Sequence, residues 1–207
     1  MSAAADLPRA TTPDFFFVRH GETDWNREGR LQGRRDVGLN ARGRRQAAMS
    51  GAILAGLLER RELQADALDF VSSPLSRTRE TMELLRHGLG MPAKPYRSDP
   101  RLLELSFGRW EGLTWAEIKR DHGAANDARR RDRWNFVPPG GESYAALLDR
   151  LTPWLEALEP NSVVVAHGGV ARAILHLVTG LSSERAPNEE IRQGRVLVFN
   201  AGAAHWV

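Results

Sequence analysis

The pair Arg19-His20 closes a run of four apolar residues, Phe15-Phe16-Phe17-Val18, and Gly21 follows at once. Arginine offers a fixed guanidinium fork for an anionic group, and a histidine beside it can act as nucleophile or base. A nearby permanent cation biases that histidine towards neutral imidazole, the form that can attack. The layout recurs at Ser162-Val163-Val164-Val165-Ala166, which ends in His167-Gly168-Gly169. Two histidines at the ends of two buried strands can face each other across one pocket. Arg77 stands in the first turn of an expected helix after Ser72-Ser73-Pro74. There, free backbone N–H groups and a guanidinium together suit an anion. Glu104 sits between Leu103 and Leu105, and burial by them would raise its pKa into the range useful to a general acid. Each residue also has a plainer reading: a satisfied histidine at a strand end, or a surface acid paired with one of many arginines.

These side chains need a scaffold to bring them together. A short apolar run ended by glycine suits a buried central strand, and in open α/β sheets ligands sit beyond the carboxyl ends of such strands. Strands are expected at 15–18, 68–71, 96–98, 162–166 and 195–200, with 203–207 a partner for the last. Helices are expected at 41–60 with Asn40 as N-cap, then at 75–87, 114–122, 124–134, 142–158 and 170–178. Residues 25–39 have no steady period and read as a long loop over the site. The alternation predicts an α/β fold, a three-layer α/β/α sandwich with a mostly parallel central sheet. Residues 1–13 read as a short disordered leader, and 14–207 as a single domain in which 107–141 is an insertion covering the site.

Composition narrows the classes. The 207 residues suit one sizeable domain, and 42% apolar with 27% charged content is ordinary for a soluble protein. Cysteine is absent, which excludes disulfides and thiol chemistry; with no signal-peptide pattern, a cytoplasmic protein is expected. No apolar stretch approaches the ~20 residues needed to span a bilayer, so no membrane role is expected. Net charge is +3, but arginines crowd 27–45 and 129–133. No nucleic-acid motif accompanies them, so a rim around a small-anion pocket or solvated helix faces is the better reading. No dense carboxylate cluster suggests a metal, and oligomeric state is not legible.

The residues then form a recognisable series. Arg19-His20-Gly21-Glu22-Thr23, Trp25-Asn26, Leu31-Gln32-Gly33 and Asp36 open it. Ser73-Pro74-Leu75-Ser76-Arg77, Leu103-Glu104, Phe107-Gly108, Trp110-Glu111-Gly112, Pro139-Gly140-Gly141-Glu142-Ser143 and Ala166-His167-Gly168-Gly169 continue it. This order, from about Phe15 to Asn200, resembles the histidine phosphatase superfamily, which includes the cofactor-dependent phosphoglycerate mutases. The resemblance implies that His20 is the nucleophile and takes the phosphoryl group. It implies that Arg19, Arg77 and His167 hold the phosphate oxygens, with Asn26 contributing, and that Glu104 protonates the leaving oxygen and then activates water. Thr23, Gln32 and Gly168 are possible substrate contacts. His167 is expected to be protonated, adding to the charge of two arginine forks. No metal or other cofactor is implied, and the partner is a small, anionic phosphomonoester.

Members of the superfamily divide between hydrolysing phosphomonoesters and moving phosphate within phosphoglycerate. The mutase pattern calls for tryptophan after Gly33, where Arg34 stands, and for a longer insertion. A metal-independent phosphatase working through phosphohistidine is therefore favoured, with a mutase or a weakly catalytic interaction protein as alternatives. Arg34 and Arg35 are candidates to line the pocket. A bell-shaped pH profile is expected, limited by His20 protonation at low pH and by proton loss from Glu104 or His167 at high pH.

Overall fold

The structure, a computed structural model, describes residues 13–207; apart from Pro13, the expected leader lies outside them. β1 (Phe15–Arg19) and β4 (Ser162–Ala166) are apolar without alternation because both their faces are covered. They pair in parallel at the centre of a six-stranded sheet of order β3-β2-β4-β1-β5-β6. β2 (Phe70–Ser72) and β3 (Arg97–Ser98) extend the parallel set, while β5 (Leu197–Asn200) and β6 (Ala203–Trp206) run antiparallel.

The period of two in each strand sorts side chains between two cores. Phe16, Val18, Val163 and Val165 pack with leucines of α2 (Ala41–Arg60) and with Met82 and Leu85 of α3 (Ser76–Gly88). Phe15, Phe17, Val164 and Ala166 face α6 (Tyr144–Glu156) and α7 (Gly168–Thr179). The expected three-layer α/β/α sandwich with a mostly parallel sheet is thus the observed fold. Its site end is fixed by the ladder: the His20 N–H donates to Ala166 O at 3.0 Å, and the Ser73 N–H to Val165 O at 3.0 Å. The carboxyl ends of β1, β2 and β4 therefore present His20, Ser73 and His167 side by side.

Boundaries shift where local hydrogen bonding was not legible. The expected loop after Trp25 is occupied at its start by α1 (Asp24–Arg27). Thr23 caps it: its hydroxyl accepts from the Asn26 N–H at 3.1 Å, and the Asn26 side chain accepts from the Thr23 N–H at 3.2 Å. This reciprocal box hid because asparagine stands where glutamate or glutamine is usual. Thr114 makes the familiar version with Glu117 at the start of α4 (Trp115–Asp121). α5 (Gly123–Arg131) ends short of Trp134 because the Asp132 carboxylate takes the N–H groups of Trp134 and Asn135.

Two glycines let the chain close tightly beside the site. A Cβ on Gly21 would lie 2.2 Å from the Gly43 carbonyl oxygen, and one on Gly43 would lie 2.1 Å from the Glu22 oxygen. Asn40 caps α2 here, accepting from the Gly43 N–H at 2.8 Å. The first turn of α2 is thereby clamped against the residues that follow His20.

Candidate active site

His20 is buried at the end of β1, and two hydrogen bonds assign its ring nitrogens. Nδ1 lies 2.8 Å from the Gly21 carbonyl oxygen, which can only accept, so Nδ1 carries the proton. Nε2 lies 3.3 Å from Arg77 Nε, which can only donate, so Nε2 presents its lone pair. Burial pushes the His20 pKa well below the ordinary histidine value, and the Arg77 and Arg19 guanidiniums push it further. The result is a neutral imidazole with its nucleophilic nitrogen turned towards a cation.

The guanidiniums are held by backbone carbonyls and form no direct ion pair, with Glu104 the carboxylate that acts on both. Arg77, fully buried at the start of α3, donates to Gly33 O at 2.8 Å and to Arg35 O at 2.7 Å. Gly33 reaches this position with φ +51°, and a Cβ there would lie 2.1 Å from a Glu111 carboxylate oxygen. Arg19 donates through Nη1 to Ile191 O at 2.8 Å, and its buried Nε has no partner. Burial, then Arg172, brings the Arg19 pKa down to about 10. Asn26 Oδ1 accepts from the Thr23 N–H and from Gln193 Nε2, so its amide NH₂ remains available as a donor. Gln193 also donates to His20 O at 3.0 Å, tying the last loop to the nucleophile strand.

His167 departs from the expectation of a protonated histidine. It is fully buried, and burial, then Arg77, then His20 hold its pKa well below the ordinary value. Its ring meets that of His20 edge-on at 5.2 Å between centroids, and two cations flank the pair. Nε2 lies 2.8 Å from Ser73 Oγ. The serine hydroxyl can donate or accept there, and the buried Nδ1 has no partner. His167 presents a neutral ring rather than a charge. It therefore has no extra proton to lose on the alkaline side of a pH profile.

Glu104 is half-buried and does not sit sealed between its leucine neighbours. Its carboxylate accepts from the Gly169 N–H at 3.0 and 3.2 Å and from the Leu105 N–H at 2.9 Å. A Cβ at position 169 would lie 2.5 Å from Glu104 Oε1, so glycine there admits the carboxylate to the start of α7.

A cavity of about 150 Å³ joins these groups, lined by Arg19, His20, Asn26, Gln32, Arg77, Glu104 and Gly168 among others. His167 lies behind His20. Thr23, a possible substrate contact, lies outside the cavity lining, fully buried as the cap of α1. Arg34 and Arg35 are also absent from the lining: the Arg34 side chain donates to Glu142 and to the Glu104 carbonyl, and that of Arg35 lies near Glu111. Besides Arg19 and Arg77, the arginines that line the cavity are Arg30 and Arg172, with Tyr144 in the same wall. Sequence reasoning missed these and Gln193. Arg172 was findable, since it lies one helical turn after Gly168 on a helix that starts at the site. Of four unpartnered buried side-chain atoms among the described residues, three belong to this cluster: Arg19 Nε, His167 Nδ1 and Gln32 Oε1. A buried donor without a partner is costly, and an anion in the cavity would satisfy that of Arg19.

The two depressed histidines carry a stability consequence. In the unfolded chain each titrates near pH ~6.5, whereas the folded protein resists protonation. Below that pH the unfolded state binds more protons, so their contribution is fully present above it and is lost as pH falls. Each group can remove up to about 1.4 kcal/mol per pH unit. Thermal melts from pH 7.5 to 5 should show a steep decline for wild type and a shallower one for His20→Gln. Equal slopes would mean that His20 accepts its proton in the folded state. The acid limb of activity should likewise lie well below the ordinary histidine range.

A neutral imidazole and two buried guanidiniums, one with an unpartnered N–H, at the carboxyl edge of a parallel sheet suit an anionic ligand. The chain belongs to the histidine phosphatase superfamily (branch 1), whose family model matches residues 15–207. It is 33% identical over 203 residues to the glucosyl-3-phosphoglycerate phosphatase of Mycolicibacterium vanbaalenii, spanning 92% of this chain and 80% of the relative. It is 29% identical over 196 residues to the 2,3-bisphosphoglycerate-dependent phosphoglycerate mutase of Beijerinckia indica, spanning 90% of each. The solved native structure of mycobacterial glucosyl-3-phosphoglycerate phosphatase matches with a TM-score of 0.75 at 29% identity, over 90% of this chain and 89% of that one. Among the described residues, no helix is long and apolar enough to cross a membrane.

Proposed function

We propose that this chain is a metal-independent phosphomonoesterase that works through a phosphohistidine on a small anionic phosphoester. The observation that carries the reading is the neutral His20 Nε2 facing Arg77, with the unpartnered Arg19 Nε beside it. Phosphoryl transfer asks mainly for in-line positioning and positive charge around the equatorial oxygens. In the first step Nε2 attacks phosphorus, the bond to the leaving oxygen breaks, and Glu104 gives that oxygen its proton. In the second, Glu104 takes a proton from water, the water oxygen attacks phosphorus, and the P–N bond breaks. Phosphate leaves, and His20 and Glu104 return to their starting states.

Similarity to a glucosyl-3-phosphoglycerate phosphatase supports hydrolysis. The mutase relatives keep transfer to phosphoglycerate as the competing outcome. The test is phosphate release from a phosphomonoester panel in excess EDTA, with 3-phosphoglycerate offered as a competing acceptor. Release to water is expected to dominate, and Glu104→Gln should slow it by about 10²–10⁴-fold, the range for a lost general acid–base. Transfer to 3-phosphoglycerate outrunning release would overturn the reading in favour of a mutase.

A further inference from the structure

Three of the phosphate-handling groups are held from one place, residues 191–194, which lead into β5. The Ile191 carbonyl accepts from Arg19 Nη1 at 2.8 Å. Two residues on, Gln193 Nε2 donates to the His20 carbonyl at 3.0 Å and to Asn26 Oδ1 at 3.2 Å. Both partners accept, so the Gln193 amide has one orientation: its nitrogen, not its oxygen, stands between them. The segment is itself well seated. Ile191 is buried in the core, and Gln193 bridges β1 in parallel at Arg19. Gly194 follows with φ +71°, and a Cβ there would lie 2.7 Å from Met49 Cε and 3.3 Å from Gln46 Cβ. The bare backbone at this position lets the segment press onto α2.

Asn26 depends on such a support. It belongs to α1, a helix of four residues with none buried, and a helix so short has little stability of its own. Its capping box turns Oδ1 towards the Thr23 N–H and hydroxyl, at 3.2 and 3.3 Å, which leaves the NH₂ for the cavity that Asn26 lines. The box orients the amide within α1 but does not by itself fix the distance from that NH₂ to the His20 ring. The Gln193 nitrogen does, because it joins Asn26 Oδ1 to the backbone of His20 through two hydrogen bonds.

We propose that Gln193 is a positioning residue for phosphate binding, bridging His20 and Asn26 so that the Asn26 NH₂ and the nucleophile address the same phosphoryl group. This rests on the phosphomonoesterase reading above for the nature of the ligand. Gln193 lies outside the lining of the phosphoryl cavity and acts through Asn26. A misplacement of about 1 Å in a positioning group is enough to cost about 10²-fold in rate.

The test is a double-mutant cycle on the calorimetric affinity for inorganic phosphate, with Gln193→Met, Asn26→Ala and the pair. Methionine keeps the length of the side chain and removes both hydrogen bonds. Gln193→Met should weaken phosphate binding about tenfold, the effect of losing one hydrogen bond to a charged group, and Asn26→Ala should do about the same. The pair should bind no more weakly than Asn26→Ala alone, because a group that acts through Asn26 then has nothing left to position. Gln193→Glu sets oxygens against two acceptors and should bind phosphate more weakly than Gln193→Met. Thermal melts show which variants are folded, and the methionine cycle decides where the glutamate variant is not. Losses that multiply in the pair, as a merely structural role would give, overturn the proposal, and so does an unchanged affinity in Gln193→Met. Phosphate release from the ester panel is followed alongside. Coupling in a protein that releases no phosphate would sink the phosphatase reading and keep the positioning role; turnover without coupling would sink the positioning role alone. A wild type that binds no phosphate overturns both.

Discussion

His20→Ala is expected to abolish turnover, with kcat falling by at least about 10⁴-fold, and to leave no phosphoenzyme after rapid acid-free quenching. Loss of a covalent nucleophile is among the largest single-residue effects known in enzymes, about 10⁶ in kcat in the best-studied cases. The structure explains why no neighbour should substitute. His167 is fully buried, is not among the cavity-lining residues, and has its Nε2 engaged by Ser73. Glu104 is engaged by the backbone N–H groups of Leu105 and Gly169. Loss of the buried imidazole also leaves a gap, so His20→Gln should be assayed alongside, with a melt to show that both variants are folded. A folded His20→Ala protein that still forms a phosphoenzyme would move the nucleophile elsewhere and remove the basis of the proposed mechanism.

Arg77 should show an effect that registers in stability as well as rate. Its guanidinium serves three acceptors at once: Gly33 O, Arg35 O and His20 Nε2. A lysine keeps the charge but not the planar fork, so it cannot satisfy all three. Arg77→Lys is expected to lower kcat/KM by about 10²–10³-fold, comparable to removing an oxyanion donor. It should also destabilise the fold by roughly 1–3 kcal/mol, because at least one buried carbonyl loses its donor. Turnover with a saturating ester and a denaturant melt check the two halves separately. Full activity in a destabilised protein would make Arg77 a loop brace and not a phosphate ligand.

Much of this was legible because the relevant information is local. Apolar runs ending in Arg19-His20 and Ala166-His167 specify buried strands whose ends carry the side chains, and Arg77 follows a strand end in the same way. Asn40 announced its helix by a side chain that caps three residues on. What stayed hidden depends on distant partners. Nothing near His167 in sequence indicates that Arg77, Arg19 and His20 surround it, so its protonation state was misjudged. Thr23 was offered as a possible substrate contact from the family resemblance, and its capping role stayed hidden because its partner is an asparagine. Arg34 and Arg35 were offered for the pocket on composition, yet which of many arginines faces inward is decided by packing of the loop after α1. Gln193 joins the site across 173 residues of chain, a reach that no periodicity reveals.

The strand order itself has a kinetic corollary. His20 meets Arg77 from 57 residues away, and His167 meets Ser73 from 94. The central pair, β1 and β4, joins the start of the chain to its last third. Contacts so distant in sequence repay the entropy of loop closure only late, which makes such topologies slow to fold. Partial structures built from α2 and α3 can form early, but they hold neither of the two histidines. In refolding from denaturant, regain of activity should therefore lag helical signal and coincide with burial of the central strands. The chemistry becomes available only when the whole chain has found its place.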